Sequence, residues 1–300
     1  MDISGETVVA VGVFDGVHRG HQLILARARA HAAQLGLPVV AVTFNPHPMS
    51  VTRPGRHPKL LQTIDDRVAS LTSLGADAVN VVEFTADFAA LTPEEFVDQV
   101  LVTGLKARYV VVGDNFRFGQ RAAGDPVALE EFGKSRGFEV EAVPLAIDGD
   151  EPWSSTYIRG LLVAGDIARA TAALGRPFRL EGTVVHGNHR GRELGFPTAN
   201  VDVAPHLVLP GPGVYAAWFG YSGTQRMAAV SVGTNPQFEG SEMRVEAYVL
   251  DSPGLDLYGQ QVSVDFVARI RGQWVFPSVA DLIARIEQDV AEVRLALAVS

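Results

Sequence analysis

Cysteine is absent from the 300 residues, which excludes disulfides, thiolate metal sites and thiol catalysis. No stretch reaches the roughly 18 uncharged apolar residues that a spanning helix needs. The first twenty residues lack the basic start and apolar run of a secretory signal. Positive charge is scarce: 25 Lys and Arg against 34 Asp and Glu leave a net charge of −9. That balance argues against broad binding to nucleic acid or to anionic membranes. Internal repeats and low-complexity tracts are missing as well. What is present, 47% hydrophobic and 20% charged residues, is a globular composition, and the length predicts about two domains. The expectation is a cytoplasmic enzyme or binding protein that acts on small molecules.

The first ~175 residues alternate apolar runs with helical patterns. Val8–Phe14, Val39–Phe44, Ala78–Phe84 and Tyr109–Gly113 are β-branched and apolar on consecutive positions, as in parallel strands covered on both faces. Between them, His21–Leu35 and Thr63–Leu74 carry the helical period, with Thr63 as N-cap. Thr92-Pro93-Glu94-Glu95 spells a capping box with proline at the first helical position. This alternation predicts an α/β, doubly wound sheet with ligands outside the carboxyl ends of its strands. After Gly175-Arg176-Pro177 the texture changes to short strand-like runs separated by Gly, Pro, Ser and Asn. One long helical pattern follows at Ser278–Leu297, with Val279, Leu282, Ile283, Ile286, Val290 and Val293 on one stripe. The second half therefore reads as an antiparallel β-barrel with a packed C-terminal helix. The expected domains are 1–175 and 176–300.

Gly12-Val13-Phe14-Asp15-Gly16-Val17-His18-Arg19-Gly20-His21 follows the first strand and opens the first helix. Glycines permit tight turns and close ligand approach, and a helix N-terminus favours phosphate. His18 and His21 share a helix face, so both can donate to phosphate oxygens. Read alone, the pair is as well explained by two surface histidines beside a turn; its place after the first strand favours the ligand. Asn45 and His47 in Thr43–Pro48, and Asn115 in Gly113–Gly119, also lie at carboxyl strand ends. Ser154, Ser155 and Thr156 precede a predicted helix, where one hydroxyl would suffice as a cap. Arg159 is suited to a bidentate phosphate contact.

GVFDGVHRGH, TFNPHP, GDNFRFG and SSTYIR, in this order, resemble the adenylyltransferase module of bacterial bifunctional riboflavin kinase/FAD synthetases. His18-Arg19-Gly20-His21 matches the H-x-G-H signature of the wider nucleotidyltransferase superfamily, which implies a Rossmann-like fold. By this resemblance the module joins FMN to the AMP part of ATP and releases pyrophosphate. It implies ATP and FMN contacts at Gly12, Phe14, Asp15, Gly16, His18, Gly20, His21, Asn45, His47, Asn115, Ser154, Ser155, Thr156 and Arg159. The nucleophile is a phosphate already ionised at pH 7, so His18, His21 and Arg159 would stabilise charge without a general base. Tyr157 stands where the family often has Arg.

Gly187 to Asn200 holds no Walker loop; its glycines allow a phosphate-cradling flap or, as simply, a hairpin ended by Pro197. Thr198 and Asn200, two apart, offer neutral oxygen ligands to Mg²⁺. GTVVHG and GRELGFPTAN resemble the riboflavin kinase signature, and the similarity continues to the terminal helix. It implies ATP and riboflavin contacts at Gly187, Gly191, Gly195, Pro197, Thr198, Asn200 and Glu246, with Glu246 as base. Without the resemblance Glu246 is a strand carboxylate facing solvent. Phe178, Phe238, Trp274 and Phe276 are candidates for an apolar flavin slot, none assigned. The resemblance covers roughly residues 7–297 and implies riboflavin, FMN, FAD and ATP as substrates or products; Mg²⁺ is expected from the ATP chemistry, and a monomer or weak homo-oligomer is the expected state. Two alternatives are another nucleotide transferase, which leaves GFPTAN unexplained, and a flavin- or nucleotide-binding regulatory protein without turnover.

Overall fold

The computed structural model describes residues 5–144, 147–148, 151–187, 194–234, 243–252 and 254–298. It divides into two compact units, Met1–Ser155 and Thr156–Ser300.

In the first unit β1 (Thr7–Val11), β2 (Val39–Asn45), β3 (Ala78–Glu83), β4 (Ala107–Gly113) and β5 (Glu139–Val143) form a parallel sheet in the order β3-β2-β1-β4-β5. The connecting helices are α1 (Arg19–Leu35), α2 (Pro48–Thr52), α3 (Ile64–Ser73), α4 (Ala86–Ala89), α5 (Pro93–Phe96) and α6 (Pro126–Arg136). A π-helical segment, Val97–Gly104, continues from α5. A two-residue pair, β6 (Ile147–Asp148) and β7 (Glu151–Pro152), precedes the end of the unit. Consecutive apolar residues suit this sheet because both faces are covered. Val8 and Ala10 pack with Ile24, Leu25 and Ala28 of α1, while Val9 and Val11 meet Phe96, Leu101 and Leu129 on the other face. β1 is flanked by β2 and β4, so the strand order reverses there and opens a ligand crevice at the carboxyl ends.

The α/β reading is correct, with local corrections. β1 ends at Val11, not Phe14, because the backbone turns at once: Phe14, Gly16 and Val17 have φ of 55°, 83° and 38°. β5 was not anticipated, since its glutamates interrupt the apolar run. The two caps read from sequence are present: Thr63 Oγ1 accepts from Asp66 N at 3.1 Å, and Thr92 and Glu95 form a reciprocal capping box.

The second unit contains α7 (Ser155–Ala164, entered from the last residue of the first unit) and α8 (Ile167–Leu174). Six antiparallel strands follow, β8 (Phe178–Val185), β9 (Ala199–Val203), β10 (Gly213–Tyr221), β11 (Thr224–Thr234), β12 (Met243–Val249) and β13 (Gln261–Arg271). They close into a barrel in the order β10-β11-β12-β9-β8-β13. Tyr215, Phe219, Val230, Val232, Val264 and Phe266 are fully buried. Along β12, buried Val245, Ala247 and Val249 alternate with Arg244, Glu246 and Tyr248 on the opposite face. The last helix, α9 (Val279–Ala298), packs Val290, Val293, Ala296 and Leu297 against Ala216, Trp218, Met227 and Leu250.

Two expectations change here. Val279 is 59% exposed, so the apolar stripe of α9 is not buried along its whole length. Within it sits Asp289, buried because Arg271 donates Nε and Nη2 to its carboxylate at 2.8–3.0 Å. Phe178 packs beside Phe266 (ring centroids 6.1 Å) and is 2% exposed, which removes it from the candidates for a ligand slot.

Candidate active sites

The first site is built where β1 runs into α1. His18 is the N-cap residue of α1, yet its side chain makes no capping bond. Its ring stacks on His21, with centroids 3.6 Å apart and planes at 25°, and Phe14 meets His21 edge-on at 5.1 Å. Gly20 keeps the stack close, because a Cβ there would lie 3.1 Å from His18 Cε1. The Nδ1 of His21 is shielded and has no hydrogen-bond partner among the described residues. Burial, then the neighbouring His18 and the Arg67 charge, hold the His21 imidazole well below the usual histidine range. A neutral imidazole donates from one of its ring nitrogens, which suits a phosphate oxygen at the accessible side of the ring.

Asp15 does not project into the crevice. Its buried carboxylate accepts from Leu61 N at 3.0 and 3.2 Å, and its carbonyl accepts from Ser155 Oγ at 2.9 Å. Gly16 requires its positive φ and also lacks room, since a Cβ would meet Leu61 Cδ1 at 2.5 Å. Phe14 is wholly buried, its ring edge 3.0 Å from the Cβ that Gly12 lacks. Asn45 is exposed at the end of β2; His47 caps α2, its Nδ1 accepting from Met49 N at 3.1 Å. Asn115 lies exposed in the turn after β4, its Oδ1 3.1 Å from the position of a Gly113 Cβ. Ser154 immediately precedes α7, and Ser155 and Thr156 form its first turn. Arg159 is half-exposed on α7, one turn beyond Ser155 and on the same helix face. Tyr157 hydrogen-bonds the Arg169 guanidinium, which also lies 5.5 Å over its ring.

Sequence reasoning missed Arg67. It is 2% exposed and donates Nη1 to Val13 O (3.0 Å), Thr43 Oγ1 (3.2 Å) and Phe44 O (3.2 Å), with Nη2 3.7 Å from Asp15 Oδ1. The available signal was its spacing of four from buried Leu71, which sets both on the inward face of α3. Trp153 was also passed over; Arg19 sits 5.6 Å over its ring.

The second site lies on the non-buried face of β12 and its neighbours. Glu246 is directly opposite Asn200 on β9 and Ser231 on β11. Half-burial pushes its carboxyl up, and Arg244 partly offsets that shift. Gly187 follows β8, and a Cβ there would overlap the Asn200 amide, so the close approach requires glycine. Thr198 and Pro197 lead into β9, and Gly195 turns at φ 85°. Gly191 and Phe238 lie outside the described residues. Gln273 donates Nε2 to Ser231 Oγ (3.2 Å) and Val232 O (3.1 Å), a link that pattern reading cannot supply. Phe196 meets Tyr248 edge-on, and Trp274, 54% exposed, lies 6.5 Å from Phe276. Among the described residues no cluster of three or more His, Cys, Asp or Glu could hold a metal ion.

Fold and sites together define a two-unit transferase: a nucleotidyltransferase-like parallel sheet, then a six-stranded barrel with a terminal helix. Residues 1–157 match the family model of FAD synthetase and residues 174–297 that of riboflavin kinase. The chain belongs to the bifunctional riboflavin kinase/FMN adenylyltransferase family. The relative of that description from Listeria monocytogenes is 36% identical over 96% of this chain and 91% of its own. The one from Pseudomonas fluorescens is 38% identical over 96% and 92%. A crystal structure described as a macrolide-efflux protein from Streptococcus pneumoniae is similar with a TM-score of 0.89 and 32% identity, covering 98% of this chain and 95% of that one. No helix among the described residues here is long and apolar enough to cross a membrane.

Proposed function

We propose that the chain makes FAD in two ATP-dependent steps. Riboflavin and ATP give FMN and ADP; FMN and ATP then give FAD and pyrophosphate. The expected division of labour is adenylyl transfer by residues 1–175 and phosphorylation by residues 176–300. The observation that carries the reading is that one chain matches both enzyme families in this order, with the stacked His18 and His21 at the head of α1 in the first unit and a half-buried Glu246 in the second.

The two reactions ask for different residues. In adenylyl transfer the attacking FMN phosphate is already ionised, so the site must orient two anions and stabilise charge on the α-phosphate and the departing pyrophosphate. His18, His21, Arg159 and the positive dipole end at the α1 N-terminus suit that task. Gly12, Phe14, Asp15 and Gly16 shape the turn, while Asn45, His47, Asn115, Ser154, Ser155 and Thr156 form the rim. In riboflavin phosphorylation an alcohol attacks, and Glu246 accepts its proton. A carboxylate whose pKa burial has raised is a better acceptor than an exposed one. Thr198 and Asn200 fit a Mg²⁺–nucleotide: both offer neutral oxygens, and Asn200 is directly opposite Glu246. When bound, the ion would neutralise phosphate charge. Gly187, Gly191, Gly195 and Pro197 belong to the loop that would cover the phosphates. Small-molecule substrates account for both sites without nucleic acid or membrane, and we expect a cytoplasmic monomer or weak homo-oligomer.

Incubation of the protein with riboflavin, ATP and Mg²⁺, followed by chromatographic separation of flavins, tests the reading. FMN should appear first and FAD after it. Riboflavin that persists unconverted would refute the proposal, and tight flavin binding without conversion would leave the regulatory-protein alternative.

A further inference from the structure

The turn from β1 into α1 is costly backbone. Phe14 and Val17, both non-glycine, have φ of 55° and 38°. Residues in such sparsely populated regions are strained and persist only when the surroundings over-determine them. The surroundings here converge on one side chain from another element. Arg67, on α3, places a single Nη1 between Val13 O at 3.0 Å and Phe44 O at 3.2 Å, with Thr43 Oγ1 at 3.2 Å. Thr43 Oγ1 closes the triangle by donating to Val13 O at 2.8 Å. Val13 begins the strained turn, and Phe44 directly precedes Asn45 at the rim. The same guanidinium lies 3.7 Å from Asp15, whose carboxylate is also held by the Leu61 amide.

We propose that Arg67 is a positioning residue for adenylyl transfer: its buried guanidinium sets the separation between the turn that carries His18 and His21 and the β2 end that carries Asn45. The inference rests on the adenylyltransferase reading of the first unit. A planar guanidinium with fixed donor directions can hold a turn carbonyl and a strand carbonyl at one spacing; a lysine ammonium on a flexible stem retains the charge without that geometry. A charge held wholly out of water costs stability unless it is paired and hydrogen-bonded, so a packing role alone would be served better by an apolar residue. A displacement of about 1 Å in an active site can cost roughly 10²-fold in rate.

The experiment uses the full-length chain with Arg67→Lys and Thr43→Val, the latter removing only the bridging hydroxyl. FMN-to-FAD conversion is followed at varied ATP and FMN, riboflavin phosphorylation is measured on the same preparations, and the folded fraction is read from thermal melts. For Arg67→Lys the expectation is a kcat for FAD formation lower by ~10²-fold, with KM values and riboflavin phosphorylation within about threefold of wild type. For Thr43→Val a smaller loss of the same kind is expected, about tenfold. The proposal is overturned if both variants keep the wild-type kcat, or if the loss matches the unfolded fraction. A wild-type protein that itself makes no FAD from FMN would remove the underlying reading, an outcome visible in the control reaction.

Discussion

At the scale of single residues, the two proposed centres depend on groups with opposite needs. Glu246 must be ionised to accept a proton, and burial raises its pKa. Its ionised fraction, and with it riboflavin phosphorylation, therefore falls as pH drops through a value above that of an ordinary glutamate. Arg244 pulls the other way, so Arg244→Gln should move the acid limb of the kcat/KM profile to still higher pH; an unmoved limb would assign that ionisation to another group. Glu246→Gln should lower FMN formation by at least about 10²-fold while FMN-to-FAD conversion continues. The mirror experiment is His21→Ala, in which FMN should accumulate because adenylylation alone is impaired, read as the FMN to FAD ratio at fixed time. The histidine pair and the hydroxyl run stand out as short motifs, whereas Glu246 is singled out only by the family resemblance. Arg67 was not, because its acceptors lie at positions 13, 43 and 44 and meet only when β1, β2 and α3 assemble.

At the scale of elements, local chemistry could be read and tertiary placement could not. Thr63 and Thr92 were identifiable as caps because their partners are three residues away. Thr63→Ala should destabilise the first unit by about 1 kcal/mol, seen as a lower thermal midpoint. It should also loosen the helix that presents Arg67. The apolar run to Phe14 looks like strand because hydrophobicity does not distinguish a buried strand from a buried turn; the positive φ values do. β5 escaped for the converse reason. It lies at the sheet edge, where one strand partner suffices and the pattern Glu-Val-Glu-Ala-Val is tolerated. In α9 the period was visible, but which turns meet the barrel depends on the barrel.

For the whole molecule, the change of texture after residue 175 marks where strands replace the alternating pattern, and the compact units divide at Ser155 and Thr156. The intervening α8 buries Ile167, Ala170, Ala173 and Leu174 and contacts β8 and β13. Sequence texture could not assign this helix, because an amphipathic helix does not declare what it covers. A fragment of residues 156–300 should therefore phosphorylate riboflavin and melt at a higher temperature than one of residues 176–300, which loses that apolar cover. Equal melting temperatures would show that α8 contributes nothing to the barrel.

Closure of β10 onto β13 has a consequence for solubility. The barrel strands are paired on both sides, so among the described residues the long strands open to main-chain association are β3 and β5, the outer strands of the parallel sheet. β5 carries Glu139 and Glu141, and β3 ends in Glu83. Charged residues on such outer strands disfavour pairing with a second copy, a guard against fibrillar stacking in a crowded solution.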